Sequence, residues 1–183
     1  FSTSVYKGSD QNWDAVQDPI GKMFFANLNG VISYDGRFWK TIRLPNSASV
    51  FSLDKDVRDK IYVGADNEFG YLRQANSGHM EYVSLSESLS PKDKEFTSTW
   101  ATHCINSDVF FCSNEKLFWY DHKKLTVFSP EGSAFHTFFK IGKHLFIREF
   151  DKGFKVFNKG RLEFVSGSEL FADKKVYAVL PVE

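Results

Sequence analysis

The sequence has few cysteines, few prolines and no excess charge of either sign. Its 183 residues include 2 cysteines and 5 prolines, and 23 basic side chains balance 23 acidic ones. A neutral chain without a basic patch is not attracted to phosphate backbones or to anionic lipids. There is also no apolar run of the ~18 residues that a membrane helix needs. We therefore expect this segment to contact neither nucleic acid nor membrane.

The N-terminus carries no recognisable targeting sequence. No charged start followed by an apolar stretch marks a signal peptide. The chain begins at Phe1 and not at Met, which is typical of a trimmed or mature form. We therefore do not interpret the missing targeting sequence as an indication of the cytoplasm.

The two cysteines flank a predicted turn over residues 106–108. A hairpin there pairs Cys104 with Phe110 and places Cys112 diagonally across on the same face. The expected Cα separation of ~7 to 8 Å exceeds the usual reach of a disulfide. We predict two half-buried free thiols. A bridge would need a bulge that shifts the register, and two cysteines do not define the redox compartment.

Aromatic residues are abundant, and they accompany a repeat. The chain has 20 Phe, 7 Tyr and 4 Trp, with 42% hydrophobic and 25% charged residues, a composition that favours globular β structure. A phrase of two β segments joined by a polar turn occurs four times, starting at Met23, Ile61, Val109 and Leu145. The starts lie about 36 to 48 residues apart, as expected when each repeat is one propeller blade.

The repeat predicts an all-β chain of propeller blades, each made of four antiparallel strands. Tight turns at Asn29-Gly30 and Asp35-Gly36 support the hairpins of the first repeat. Residues 1–183 then form a single propeller segment with four blades and the start of a fifth. The predicted blades are 13–44, 48–85, 97–128 and 134–165, and the next begins at 175–183. A short surface helix is predicted within 86–95.

Four and a fraction blades leave one sheet face and one edge uncovered. Propellers normally close as rings, which protects their edges. We therefore expect a fragment of a larger propeller, unless four blades close a tight ring. A second copy of the chain, in a homodimer, would also cover the exposed face.

Short phrases around the repeats are similar to those of one family. In the N-terminal half they include Tyr6-Lys7-Gly8, Gln11-Asn12-Trp13, Phe24-Phe25-Ala26-Asn27, Tyr34-Asp35-Gly36, Leu44-Pro45-Asn46-Ser47 and Glu68-Phe69-Gly70-Tyr71. Later they include Ser133-Ala134-Phe135-His136, Arg148-Glu149, Gly167-Ser168-Glu169-Leu170-Phe171-Ala172 and Val179-Leu180-Pro181. In this order they resemble the sensor propellers of Bacteroidetes regulators, in which two-component-regulator propeller repeats precede a triple-tyrosine immunoglobulin-like domain.

The resemblance implies a function and a larger protein. It implies a propeller of about seven blades, then the triple-tyrosine domain, a membrane helix or coiled coil, and a histidine kinase or helix-turn-helix output domain. The segment would then be a non-enzymatic, ligand-binding sensor that relays a signal to that output domain. Any kinase activity would lie in downstream domains. The resemblance places the segment in the periplasm, with the cytoplasm as the alternative, and suggests a glycan or another small ligand.

The residues themselves leave the ligand open. Trp13, Trp39, Trp100 and Trp119 fall at predicted strand positions. They can pack between blades, which we favour, or stack on sugar rings. Near the central channel, the inner-strand candidates for ligand binding are Trp100, His136, Arg148 and Glu149.

Nothing in the sequence predicts a catalytic, cofactor or metal site. Glycosidases normally use two carboxylates ~5 to 9.5 Å apart, whereas most acids here lie in predicted turns, where capping of the backbone explains them. These turn acids are Asp18, Asp35, Asp66, Asp121 and Asp151. The five histidines show no pair at metal-site spacing. A carbohydrate-active propeller enzyme and a self-assembling interaction scaffold remain the alternatives to a sensor.

Overall fold

The computed structural model describes residues 1–181 and is built almost entirely of antiparallel sheets. Within these residues sixteen strands form four four-stranded sheets, each from four consecutive strands, so the predicted four-stranded blades are confirmed. Blade 1 comprises β1 (Asn12–Gln17), β2 (Met23–Asn27), β3 (Gly30–Tyr34) and β4 (Trp39–Ile42). Blade 2 comprises β5 (Val50–Lys55), β6 (Ile61–Ala65), β7 (Glu68–Gln74) and β8 (Met80–Ser84). Blade 3 comprises β9 (Ala101–Ile105), β10 (Asp108–Cys112), β11 (Leu117–Tyr120) and β12 (Leu125–Phe128). Blade 4 comprises β13 (Phe135–Ile141), β14 (His144–Glu149), β15 (Gly153–Asn158) and β16 (Arg161–Phe164).

Apolar clusters lie between consecutive blades. Between blades 1 and 2, Phe24 packs in the same buried cluster as Val63. Between blades 2 and 3, the ring of Phe69 stacks on Phe111 with centroids 4.5 Å apart. A third cluster joins blade 3 to Ile147 of blade 4. No such cluster within residues 1–181 joins blade 1 to blade 4, so the buried apolar clusters of the described residues lie between blades that are consecutive in the chain.

The first strands of consecutive blades lie side by side. The carboxylate of Asp14 in β1 accepts a hydrogen bond of 2.9 Å from the backbone N–H of Leu53 in β5. The close approach of blades 2 and 3 also requires Gly64 in β6, because a Cβ there would meet Thr102 Oγ1 at 2.7 Å. The first strands therefore line the inner edge of the blade row, as in a propeller.

The β9–β10 hairpin differs from the prediction by one residue in register. Cys104 pairs with Val109, and His103 pairs with Phe110. The turn has two central residues, and its first, Asn106, has a φ of 56°, which asparagine tolerates well. One residue of register changes the face on which each side chain lies. The predicted shared face for Cys104 and Cys112 was therefore wrong: they belong to different clusters, and both are buried, free thiols.

Helical structure within residues 1–181 is short. The predicted helix within 86–95 is only a 3₁₀ turn over Ser86–Ser88, and two further 3₁₀ turns span Pro45–Ser47 and Ser168–Phe171. A four-residue helix, α1 (Thr3–Tyr6), precedes blade 1, and its buried Tyr6 packs on the ring of Trp39 with centroids 5.5 Å apart. No helix of this part of the chain is long and apolar enough to cross a membrane.

The segment after blade 4 forms no strand over residues 175–181. It nevertheless lies along β13, because the Thr137 hydroxyl donates a hydrogen bond of 3.0 Å to the carbonyl of Val176. A strand needs a hydrogen-bonded neighbour, which the predicted fifth blade would have to supply. The last two residues of that predicted strand, 182 and 183, lie outside the described residues.

Candidate functional site

An extra residue interrupts the first strand of three blades. The register between the first and second strands shifts at Trp13 in blade 1, at Phe51 in blade 2 and at His136 in blade 4. A β-bulge leaves the inserted residue out of the ladder and redirects its side chain. The same backbone feature therefore presents an aromatic or imidazole ring at each of these three places.

Trp100 occupies the corresponding place in blade 3. It directly precedes β9, whose first residue, Ala101, pairs with Cys112, and the Trp100 N–H donates a hydrogen bond of 2.9 Å to the carbonyl of that same Cys112. Trp13, Phe51, Trp100 and His136 thus form one series, a single residue from each blade. We call these four residues the axial row.

Three rings of the axial row converge. Trp13 and Phe51 have ring centroids 5.6 Å apart, Phe51 and Trp100 4.7 Å, and Trp13 and Trp100 6.1 Å. Blade 1 and blade 3 are separated in the chain by blade 2, so Trp13 and Trp100 can meet only near a common axis of the blades. Trp13 remains 46% exposed and Trp100 48% exposed. Part of each indole is therefore available to a solute.

His136 continues the axial row into blade 4 beside two other aromatic rings. Its imidazole centroid lies 4.8 Å from that of Phe150 and 5.6 Å from that of Tyr177. Burial lowers the pKa of His136, and the charges of Arg148 and Lys175 lower it further. The neutral imidazole is therefore favoured, and it can act as a hydrogen-bonding aromatic ring.

Arg148 and Glu149 are on the second strand of blade 4, so their predicted place on an inner strand was wrong. In β14, Arg148 pairs with Thr137 and Glu149 pairs with Phe135 of the first strand. In the aligned repeats these two residues end the first β segment of the repeated phrase, which is the second strand of the blade. Arg148 is 1% exposed and Glu149 is fully buried.

Glu149 holds the loop that leads into β13. Its Oε1 accepts hydrogen bonds of 3.0 Å each from the Glu131 N–H and the Ser133 hydroxyl, and its Oε2 lies 2.8 Å from Lys155 Nζ. Burial alone would raise the pKa of Glu149. The hydrogen bonds from Lys155, Glu131 and Ser133 outweigh burial, so the pKa lies below its usual value. The buried carboxylate therefore positions the strand that carries His136.

Arg148 connects blade 4 to the segment that follows it. Its Nη2 donates to the carbonyl of Ala172 at 2.8 Å and to that of Phe171 at 3.3 Å. Its Cζ lies 4.6 Å from the ring centroid of Phe150, a cation–π contact. Phe150 in turn contacts His136. Arg148 therefore supports the axial row through Phe150.

The four tryptophans divide into two pairs. Trp119 packs on Phe157 between blades 3 and 4, with ring centroids 5.0 Å apart, as interblade packing predicts. Trp39 stacks on Tyr34 of its own blade, with ring centroids 4.3 Å apart. Trp13 and Trp100 instead remain half-exposed in the axial row.

Phe51 was not predicted from the sequence, although it recurs with Trp13, Trp100 and His136 at nearly the same distance before the second strand of each repeat.

Several acids are engaged in turn structure. Asp35 Oδ1 accepts hydrogen bonds from the backbone N–H groups of Phe38 at 2.7 Å and Arg37 at 3.0 Å, and these bonds lower its pKa. Asp18 and Asp121 accept backbone hydrogen bonds in the same manner. Within residues 1–181, no three His, Cys, Asp or Glu side chains are grouped so that they could hold a metal ion. The axial row itself offers aromatic faces and one imidazole, which suit stacking on a ring-shaped ligand.

No protein-family model and no curated protein sequence matches the chain. Solved structures do match its fold. The extracellular domain of the putative hybrid two component system BT4673 from B. thetaiotaomicron has a TM-score of 0.62 at 16% identity, over 86% of this chain and 21% of that one. A second structure of the extracellular domain of BT4673, described as a putative one component system, has a TM-score of 0.62 at 16% identity, over 84% of this chain and 21% of that one.

An enzyme shares the fold as well. Virginiamycin B lyase from Staphylococcus aureus has a TM-score of 0.61 at 13% identity, over 88% of this chain and 59% of that one. This chain thus spans only 21% of the BT4673 structures and 59% of the lyase. At these identities the likeness shows a propeller fold.

Proposed function

We propose that the chain is a non-enzymatic sensor segment of a bacterial signalling regulator, located in the periplasm, and that it binds a ligand on the axial row. The observation that carries this proposal is the convergence of Trp13, Phe51 and Trp100, from three blades, on one partly exposed aromatic surface. The fold shared with an extracellular domain of a two component system supports the sensor role.

The proposed ligand is a glycan or a glycan fragment. The faces of sugar rings are apolar enough to stack on aromatic side chains, and Trp13 and Trp100 present about half of their surface to solvent. His136 adds a ring with hydrogen-bonding nitrogen atoms at the blade 4 end of the row. Trp100 and His136 thus remain ligand-binding candidates, and Arg148 and Glu149 support the row from within blade 4.

The proposed signal is a change in the arrangement of the blades or of a dimer. A ligand shifts such an equilibrium only if it binds the two arrangements with different affinity. A ligand on the axial row would touch blades 1 and 3, which do not neighbour one another, so its affinity would depend on their relative position. The change would pass to remaining blades, a triple-tyrosine domain and an output domain in a longer protein.

The engaged acids support a binding role over catalysis. Asp18, Asp35 and Asp121 accept backbone hydrogen bonds in turns, and Glu149 is ion-paired with Lys155. Glycoside hydrolysis normally needs two carboxylates facing one cleft, and the axial row contributes none. The residues that form the row are therefore suited to holding a ring, and cleavage of a glycosidic bond would need other groups.

The test is a titration of the chain with a panel of plant, host and microbial oligosaccharides. Isothermal calorimetry and tryptophan fluorescence measure the binding. At least one member should bind, and Trp100→Ala should weaken that binding by about tenfold. Phe38→Ala is the matched control, because Phe38 is an aromatic residue 54% exposed in a turn of blade 1 outside the row. Failure of the whole panel to bind would sink the glycan proposal, and release of a cleaved product would establish the enzyme alternative.

A further inference from the structure

The guanidinium of Arg148 is buried with part of its hydrogen-bonding capacity unused. Its Nη2 bonds to the carbonyls of Phe171 and Ala172. Its Nε and Nη1 are buried and have no hydrogen-bond partner in the described part of the chain. Buried donors on a charged group are costly to leave unpaired. The arrangement therefore favours an additional acceptor at this place.

One ring separates this guanidinium from the axial row. Phe150 lies with its centroid 4.6 Å from Arg148 Cζ and 4.8 Å from the centroid of His136. Phe150 is only half-buried, so its side chain has solvent on one side into which it can turn. Such a movement would open a path from His136 to the unpaired N–H groups of Arg148.

The charges around this path are mostly positive. Arg148 and Lys175 both act on His136 as positive charges. Asp151 and Asp173 act on Arg148 as negative charges, but Asp173 is paired with Lys174 at 2.8 Å. A negatively charged group entering beside His136 would meet the cations of Arg148 and Lys175. Of the two acids, only Asp151 has no ion pair in the described part of the chain.

We propose that Arg148 and Phe150, together with His136, form an anion subsite at the blade 4 end of the axial row, and that this subsite takes the carboxylate or sulfate group of an acidic glycan. The proposal rests on the proposed function, since the sugar ring would stack on the axial row. The acidic group would displace Phe150 and accept hydrogen bonds from Arg148 Nε or Nη1. Arginine suits this role because its guanidinium stays charged and matches the geometry of carboxylates and other oxyanions.

The test compares acidic oligosaccharides with neutral counterparts of the same shape, by calorimetry on the full chain. One pair is oligogalacturonate and its methyl ester, and the other is a sulfated oligosaccharide and its desulfated form. The acidic member of at least one pair should bind about tenfold or more tightly than its neutral counterpart. The pair that shows the preference identifies the acidic group as carboxylate or sulfate.

Two variants separate recognition from folding. Arg148→Met keeps the approximate length of the side chain and should abolish the preference, measured within the same variant as the ratio of the affinities for the acidic and the neutral member. Because Arg148 also holds the 171–172 backbone, Lys175→Gln provides a second variant that alters the charge near His136 and leaves that backbone contact in place. It should reduce the preference, and thermal unfolding should report an intact fold for both variants.

The outcomes distinguish this inference from the proposed function. Equal binding of the acidic and neutral members would overturn the anion subsite and leave the glycan sensor standing. A preference for the acidic member that survives Arg148→Met would also overturn it. If no oligosaccharide of either kind binds, the glycan sensor and the anion subsite both fail.

Discussion

The carboxylate of Asp54 in blade 2 accepts a hydrogen bond of 2.8 Å from the backbone N–H of Cys104 in blade 3. The same oxygen lies 3.1 Å from Lys140 Nζ of blade 4. One acidic side chain therefore contacts the first strands of the next two blades. Asp14 makes the corresponding backbone contact from blade 1 to blade 2, so side chains of the first strands help to hold the blades at a common spacing.

Removal of this contact should destabilise the chain. Asp54→Ala leaves the Cys104 N–H without its acceptor, and the expected loss of unfolding free energy is about 1–3 kcal/mol. Urea unfolding measures the loss. Asp10→Ala is the control, because Asp10 is exposed and accepts only from the neighbouring Ser9 hydroxyl, so its change should stay within about 0.5 kcal/mol. Equal effects of the two substitutions would contradict a structural role for Asp54.

The interface of blades 2 and 3 should reject a side chain at Gly64. A Cβ at this position would lie 2.6 Å from Thr99 Cγ2 and 2.7 Å from Thr102 Oγ1. Gly64→Ala should therefore cost about 1–3 kcal/mol of stability through overpacking. Gly36→Ala has open space around its Cβ but a φ of 90°, so it measures backbone strain alone, about 1–2 kcal/mol. Chemical denaturation measures the loss of stability in both variants, and a Gly64→Ala variant as stable as the unmodified chain would contradict the predicted overpacking.

The two thiols should be unreactive in the folded chain. Burial raises the pKa of both Cys104 and Cys112, and the thiolate is the reactive form. We expect neither thiol to react with Ellman's reagent near neutral pH, and both to react after unfolding in guanidinium. Their positions on opposite faces of the blade 3 sheet also exclude a bridge between them in this fold. Rapid labelling of the native chain, or an intramolecular disulfide found by mass spectrometry, would refute this.

Glu149 should make the stability sensitive to acid. Its folded-state pKa lies below the usual 4.5, so the unfolded chain takes up a proton at a higher pH than the native chain. The stability that Glu149 contributes is therefore complete above about pH 4.5 and is lost as the pH falls through the folded-state pKa. Glu149→Gln should be less stable at neutral pH and should lose less stability on acidification.

Unfolding free energies of the Glu149→Gln variant at a series of pH values check this expectation. Glu87→Gln alters an exposed carboxylate and should leave the acid dependence as in the unmodified chain. An identical loss on acidification in the unmodified chain and in Glu149→Gln would show that Glu149 does not contribute to the acid dependence.

The repeated strand phrases were sufficient to predict the blades, because the spacing of turns and β segments is a local property of the sequence. The register of the β9–β10 hairpin was harder to predict than the blades. The hairpin after Cys104 turns over two residues and not three, and that choice depends on the positive φ of Asn106 and on how blade 3 packs. The opposite faces of Cys104 and Cys112 follow from that single residue of register.

The axial row could be predicted only in part. Trp100 and His136 are predicted near the channel because they lie on predicted inner strands. Trp13, Phe51 and His136 are bulged residues, and a bulge arises from the pairing between strands, so the similar spacing of the four residues in the sequence does not by itself reveal it. The burial of Arg148 is likewise tertiary, since it depends on the carbonyls of a segment more than twenty residues further along the chain.

The three apolar clusters between consecutive blades have a consequence for how such a chain can change over generations. When the buried apolar contacts of each unit are made with its neighbours in the chain, stability is approximately the sum of single-unit and nearest-neighbour contributions. Duplication of a whole blade adds one more interface of the same kind and leaves the existing interfaces intact. The gene can therefore lengthen in whole repeats, and each copy of a blade with a bulged first strand adds one more ring to the axial row.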